Sequence, residues 1–376
     1  MLKLVLHPLK KVVQINNKVM KAEEVYKHWQ ALQPLSDEKA GLLQRKFLSE
    51  YNYNSNHIEG NTLTYGQTEL LLLFGRVSGE GDLKDFNDMK ASAVGVRMVE
   101  EAVVDKSMPM TQNFIRQLHK VLLCEDYTVC RDLPGGGQTS YTVHAGQYKT
   151  RPNSVITPYG DRFEYASPEE TPSLMSDLVD WYNSAEREDK LSPVELAALF
   201  HYRYIRIHPF EDGNGRIARL MSNYILARHG WPMIVIRNRK KTEYLEALHR
   251  SDGRVGSEPY KGANAPSGKI QSFMAFFNRT VCEEIQCNID IVEDTEGNRW
   301  WYDGQEVRFR SGNGYTILSI IKNNPYITYK ELSKEAGISY SSMQKMLDLM
   351  RKKGYIERRE SEKRWQVLAF NSMTMQ

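Results

Sequence analysis

The sequence predicts a mainly α-helical protein with a short β-hairpin and a distinct C-terminal unit of three helices followed by a second hairpin. Three observations carry that expectation. Apolar residues recur at helical spacing, as in Ile217, Leu220, Met221, Tyr224 and Ile225. Helix start signals stand where such stripes begin: Ser192-Pro193-Val194-Glu195 is a capping box with proline at the first helical position. Strand-like alternation is read only at residues 141–156 and near the end of the chain.

Taken in order, residues 20–35 and 41–53 read as helices separated by polar turns, and the second leads into Ser55-Asn56-His57-Ile58-Glu59-Gly60-Asn61. Residues 82–104 and 111–123 are further helices. Residues 141–156, broken by Gly146 and Pro152-Asn153, read as a hairpin. The helix opened by the capping box runs from Val194 to about Ile205 and is apolar on most faces, so it is expected to be central and buried. His208 and Pro209 end it. A second helix starts near Asn214 and is closed by Gly230 and Pro232. A short apolar run (231–236) and the stretch 242–248 follow. Residues 251–269, rich in Gly, Ser and Pro, read as a surface insertion, and a helix over 270–285 closes the core. Residues 289–313, with Trp300-Trp301-Tyr302, read as a connector.

Composition narrows the function classes. The 376 residues are 41% hydrophobic and 26% charged, which suits two or three domains. A net charge of +3 argues against a globally basic nucleic-acid binder. No apolar run approaches the ~18 residues of a membrane span. The opening MLKLVLHPLKK is too short an apolar run for a signal peptide, and no small-residue cleavage site follows, so a cytoplasmic protein without a membrane partner is expected. Cys124, Cys130, Cys282 and Cys287 form neither a zinc pattern nor a disulfide framework; reduced, mostly buried thiols are expected.

The chemistry concentrates in HPFEDGNGRIAR, residues 208–219. His208 can accept a proton near neutral pH. Asp212 can hold a divalent metal. Gly213-Asn214-Gly215 lets backbone N–H groups approach a phosphate and leads into a helix N-terminus, where free N–H groups and the dipole favour an anion. Arg216 and Arg219, three apart, share a helix face. This inventory suits a nucleotide polyphosphate better than a neutral metabolite.

At these residues the chain resembles the Fic family, whose pattern is His-x-Phe-x-(Asp/Glu)-Gly-Asn-Gly-Arg-x-x-Arg. His208, Phe210, Asp212, Gly213, Asn214, Gly215, Arg216 and Arg219 fill every specified position. The resemblance implies a Fic-type helical core that transfers AMP from ATP to a Ser, Thr or Tyr hydroxyl of a target protein or of itself. It makes His208 the general base and Asp212 the ligand of Mg²⁺, with Mn²⁺ as the alternative ion. It gives the Gly213-Asn214-Gly215 loop the α-phosphate and the two arginines the outer phosphates, with Phe210 packing the loop into the core. Ser55, Glu59 and Gly60 are similar to the family's inhibitory motif, in which the glutamate pairs with the second motif arginine, here Arg219, and takes the place of the γ-phosphate. The hairpin at 141–156 resembles the family flap, which registers the target by strand addition. Within it Asn153, Ser154, Val155 and Ile156 are the expected nucleotide contacts. Where the family often has tandem tyrosines against adenosine, this chain has Glu243-Tyr244, which leaves Tyr244.

From Tyr315 onward, three helices and a charged strand pair (Gly354-Tyr355-Ile356 and Trp365-Gln366-Val367) resemble a winged helix-turn-helix. The third helix, ending at Lys352, would be the recognition helix. Residues 314–376 hold eleven Lys/Arg and six Asp/Glu, roughly +5. The basic side chains there make duplex DNA one expected partner; protein docking and a homodimer are the others. The resulting division is an N-terminal helical region with the inhibitory motif (1–90), a catalytic core (91–288), a connector (289–313) and the winged helix-turn-helix (314–376). Two alternatives to AMP transfer stand beside it: AMP removal or transfer of another phosphate-linked group on the same core, and a nucleotide-sensing regulator that binds DNA.

Overall fold

A computed structural model describes residues 21–77, 79–132, 137–156, 162–359 and 363–372. The first 20 residues, and with them the opening apolar run and the predicted helix start at Met20, lie outside these. Helices α1 (Ala22–Ala31), α2 (Asp37–Ile58), α3 (Tyr65–Phe74), α4 (Leu83–Ala102) and α5 (Gln112–Leu123) come first. Ser36 caps α2, Thr111 caps α5, and Thr64 with Gln67 forms a capping box on α3. Two antiparallel hairpins follow, β1 (Tyr127–Asp132) with β2 (Gln138–Val143), and β3 (Ser154–Ile156) with β4 (Arg162–Glu164). Next come α6 (Thr171–Glu188), α7 (Pro193–Ile207), α8 (Asn214–Arg228), α9 (Lys241–Val255), the short α10 (Pro259–Ala263) and α11 (Gln271–Glu293).

The α7 helix is the axis of the core. It packs against α6, α8, α10 and α11, and Phe200, Tyr202, Tyr204 and Ile207 are buried along it. The Ser192–Glu195 capping box is formed, with Pro193 at the first helical position, as the sequence implied. The α8 helix returns alongside α7, so the twelve-residue motif is the turn between two buried helices.

The C-terminal unit has its own core of Trp300, Ile317, Ile321, Leu332, Met343, Leu347 and Trp365. It contains β5 (Trp300–Tyr302), β6 (Gln305–Glu306), α12 (Asn313–Asn323), α13 (Tyr329–Glu335), α14 (Tyr340–Lys352), β7 (Ile356–Arg359), β8 (Arg364–Val367) and β9 (Phe370–Asn371). The β7–β8 pair is the wing. The whole is mainly helical, with a winged helix at its C-terminal end.

Several expectations need correction. The stretch 141–156 is not one hairpin. Its first residues pair backward, Val143 opposite Tyr127, and its last pair forward, Ser154 opposite Glu164. The boundary at 90 falls inside α4, and Ala22, Val25, Tyr51 and Ile58 belong to the same core as α7 and α8. The N-terminal helices are therefore structural parts of that core. The stretch 289–313 is no plain connector: α11 runs on to Glu293, while β5 and β6 form a three-stranded sheet with β9. Nor is 251–269 a free surface insertion. Arg206 of α7 donates to the Gly256 and Glu258 carbonyls (2.8 and 3.2 Å), which draws Gly262 and Ala263 into the interior. Helices α3 and α6 lacked an assignment from sequence. Of the cysteines, Cys282 and Cys287 are buried, but Cys124 and Cys130 are exposed. Among the described residues no helix is long and apolar enough to cross a membrane.

Candidate active site

The α7–α8 turn is held in an open loop by backbone geometry that ordinary residues resist. His208 caps α7 in the left-handed region (φ 53°), and Gly213 opens α8 with φ 75°. Asn214 closes the loop: its side chain donates to the Phe210 carbonyl (2.7 Å) and accepts from the Phe210 N–H (3.0 Å). Phe210, fully buried, stacks on His119 with ring centres 3.7 Å apart. The His119 ring joins two loops, accepting from the Gly146 N–H at Nδ1 (2.9 Å) and donating from Nε2 to the Asp212 carbonyl (3.0 Å). Burial pushes this histidine down to about 4, which keeps it in that single neutral form.

The His208 ring stacks on Tyr165 at 3.9 Å. Burial, reinforced by the Lys149 ammonium, pushes its pKa down to about 3, so the ring is unprotonated at neutral pH. Lys149 is itself almost wholly buried. Its Nζ donates to the His208 and Ile207 carbonyls (2.8 and 3.2 Å) and to Asn153 Oδ1 (2.8 Å). A cation there meets the negative end of the α7 dipole and ties the motif to the strand that follows.

For Asp212, burial alone would raise the carboxyl, but Arg216, the Tyr127 hydroxyl (2.6 Å) and the Gly213 N–H (2.7 Å) hold it below its ordinary range. Arg216 reaches Asp88 (3.3 Å) and Asp212 (3.6 Å). Arg219, on the next turn, faces elsewhere. Its Nε donates to Ser55 Oγ (2.9 Å), and its Nη2 donates to the Ser55 carbonyl (2.9 Å) and to Glu59 Oε1 (2.7 Å). Glu59 caps the C-terminus of α2 and lies over Gly215, where any methyl would run into its carboxylate. Gly60 follows with φ 100°, a conformation glycine tolerates.

The predicted residues thus separate into groups. His208, Asp212, Gly213, Gly215, Arg216 and Arg219 line one turn, and Ser55 and Glu59 meet it from α2. Asn214 and Asn153 lie beside it, but their amides are spent on the loop, Asn153 donating to the Phe210 carbonyl (3.0 Å). Ser154 is exposed on β3, and the side chains of Val155 and Ile156 lie outside what is described. Tyr244 is buried beneath the site. Its hydroxyl donates to His201 Nε2 (2.8 Å), and its ring packs with Phe276 (5.7 Å), so it backs Arg219 from the core instead of offering a face to a ligand. Residues without a motif signal complete the site: Asp88, His119, Tyr127, Lys149 and Tyr165. They come from five separate stretches of chain, and no spacing relates them.

An unprotonated histidine beside a glycine-rich helix N-terminus, backed by two buried arginines, sets a proton acceptor next to a cradle for an anionic group. The Fic/DOC family model matches residues 109–226, and the MarR family model matches residues 311–364 of the winged helix. A Fic domain containing signaling protein from Bacteroides thetaiotaomicron VPI-5482 is 48% identical, with a TM-score of 0.67 over 72% of this chain and 96% of that one. The chain belongs to the Fic family. A Fic family protein from Desulfovibrio desulfuricans G20 shares the fold over 92% of this chain and 93% of its own, with a TM-score of 0.52 at 18% identity. Protein adenylyltransferase fic-1 of Caenorhabditis elegans is 31% identical over 200 residues, 53% of this chain and 35% of that protein. The match to the curated relatives spans about two fifths of their length.

Proposed function

We propose that the protein is an adenylyltransferase that moves AMP from ATP to a hydroxyl of a target protein or of itself, and that Glu59 restrains it. The observation that carries the reading is His208, held neutral at the mouth of the α8 N-terminus with Arg219 behind it. A phosphate chain laid on Gly213–Gly215 would meet free N–H groups at its α-phosphate and Arg216 and Arg219 at its outer phosphates. Its negative charge would raise the His208 pKa toward the range useful to a general base, which then takes the proton of the attacking hydroxyl. Mg²⁺ fits Asp212, a single ionised and partly exposed carboxylate; this ion binds through one or two carboxylates and completes its shell with phosphate and water. It would supply charge neutralisation on the phosphates. A target segment would add as a strand along the β3–β4 hairpin, whose base is tied to the motif through Asn153 and Lys149.

Glu59 competes directly. While it holds Arg219, the γ-phosphate cannot enter the Arg219 fork. The decisive experiment uses ATP labelled at the α- or the γ-phosphate with wild type, Glu59→Gly and His208→Ala. Label should enter protein from the α-phosphate alone, rise about tenfold or more in Glu59→Gly, and vanish in His208→Ala, a general base being worth ~10²–10⁴ in rate. A folded Glu59→Gly protein that transfers no faster than wild type would refute the restraint.

The second reading, a nucleotide-sensing DNA-binding regulator, is favoured by one observation: α14 presents Tyr340, Gln344 and Lys345 to solvent. Against it, Arg358 of the wing lies between the Tyr329 and Trp365 rings (4.8 Å to each). Duplex binding that weakens steeply with salt would support this reading, and no binding at low salt would remove it.

A further inference from the structure

The helix that delivers Glu59 is gripped from behind by the C-terminal unit. We propose that this unit is a brace: its seating on α2 and α3 sets how firmly Glu59 holds Arg219, and so governs entry of a nucleotide polyphosphate. The inference deepens the reading of Glu59 as a restraint and rests on it.

The α2 helix carries two stripes. Ser55 and Glu59 face Arg219. Glu50 and Asn54, each five residues earlier and so about 140° away around the helix, face the β5–β6 turn. Glu50 accepts from the Gly304 N–H (3.0 Å), and Asn54 donates to Asp303 Oδ1 (2.8 Å). Arg237 welds this contact to the core, pairing with Glu50 (2.8 Å), Glu284 (2.6 Å) and Asp303 (3.0 Å) while only 1% of its side chain is exposed. Burial alone would raise Glu50, but Arg237 and Lys46 hold it down to about 2. The charges are therefore fixed at any ordinary pH. Removing one partner of such a buried cluster leaves the others uncompensated, so the contact is strongly held.

The second grip is on α3, which starts six residues after Glu59. Glu357 of the wing sets its carboxylate against the Thr64 side chain and the Gly66 backbone, at the positive end of the α3 dipole. Gln366 on the other wing strand donates to Glu69 (3.0 Å). A run of rings joins α2, α3 and the C-terminal unit: Tyr53 to Tyr65 (5.2 Å), Tyr65 to Tyr302 (5.2 Å), and Tyr302 to Tyr355 (5.6 Å). Glu59 thus sits in the short link between two helices that are both held by the C-terminal unit.

The seam is separable on the α3 side. A cleft of about 980 Å³ runs beside it, with Leu70, Leu73, Phe74, Val367 and Leu368 among its walls, so the wing is held at points instead of by continuous packing. A separate anchor, Asp85 of α4 on the Thr62 N–H (2.8 Å) and hydroxyl (2.5 Å), limits how far the link can move. Unseating the wing should therefore loosen Glu59 without expelling it.

Gly66→Ala tests this in the full-length chain. A methyl there would run into the Glu357 carboxylate, and alanine favours the helix over glycine by ~1 kcal/mol, so folding of α3 is not at risk. Gln366→Ala is the second seam variant. Amide hydrogen exchange over residues 50–60 and the ATP dissociation constant are measured, with Glu59→Gly as reference. The brace predicts faster exchange over 50–60 and ATP binding tighter by about fivefold or more, the lower end of allosteric couplings, yet short of Glu59→Gly. Faster exchange confined to α3 and the wing, with 50–60 and ATP affinity as in wild type, would overturn it. If Glu59→Gly itself leaves ATP affinity unchanged, the reading of Glu59 as a restraint fails. The exchange data then still decide whether the unit and α2 are mechanically joined.

Discussion

Lys149 shows how much of this site depends on side chains outside the motif. Its ammonium is buried among neutral acceptors, and burial pushes its own pKa down to about 7. Lys149→Met keeps the stem and removes the charge. The Ile207 and His208 carbonyls would lose a charge-assisted donor, a loss of ~2–3 kcal/mol. His208 would also lose a nearby cation that disfavours its protonated form, so its pKa should rise. The acid limb of the kcat/KM profile should then move to higher pH, with Lys149→Arg much closer to wild type. Ring NMR titration of His208 gives the same shift without turnover. An unmoved titration in Lys149→Met would reduce Lys149 to a packing role. Sequence offered His208 readily, because its neighbours in the motif are its neighbours in space. It offered Lys149 only as one polar position in a predicted hairpin.

At the scale of elements, the site is the turn between α7 and α8, and the turn is only as good as its clamp. Asn214 supplies both hydrogen bonds that close it. Asn214→Ala strands the Phe210 N–H and carbonyl, and should lower stability by ~1–3 kcal/mol. Nucleotide affinity should fall with it even though the Asn214 side chain faces no ligand. Denaturant unfolding beside ATP titration separates the two effects. Wild-type affinity in a destabilised variant would show the loop to be shaped by other contacts. The helices themselves were legible because caps and stripes are local: the Ser192–Glu195 capping box forms as its spacing suggested. The hairpins were not. Strand partners are chosen by tertiary contact, so residues 141–143 and 154–156 found different partners although their alternation reads as continuous.

The molecule as a whole stores several buried histidines in their neutral form. Burial pushes His119 to about 4 and His201 and His208 to about 3, against an ordinary value of 6.5. All three depressed values mean that the unfolded chain binds more protons between these limits. The associated stability is fully present above about pH 6.5 and is lost as pH falls toward 3–4. Burial raises several carboxyls, Glu69 to about 7 and Asp88, Asp252 and Glu357 in the same direction, and these work the opposite way over part of that range. Lys149, pushed down to about 7, adds stability as pH rises above neutrality, and the three histidines should make the melting temperature decline below pH 6.5. His201→Gln, inside the core and hydrogen-bonded to Ser222 and Tyr244, should flatten that slope. A His201→Gln variant whose melting temperature falls with pH as steeply as wild type would contradict the assignment.

Sequence alone determined the helical class, the two buried helices around residues 208–219, the winged end and the family to which the motif belongs. Each rests on residues within a few turns of one another, where spacing is geometry. Tertiary structure decided what spacing cannot express. The N-terminal helices joined the main core, Arg216 and Arg219 turned to different carboxylates, Tyr244 went inward, and the wing settled on the helix that follows Glu59. Those outcomes depend on which distant surfaces bury one another and which charges lose their water together, and no local pattern records either.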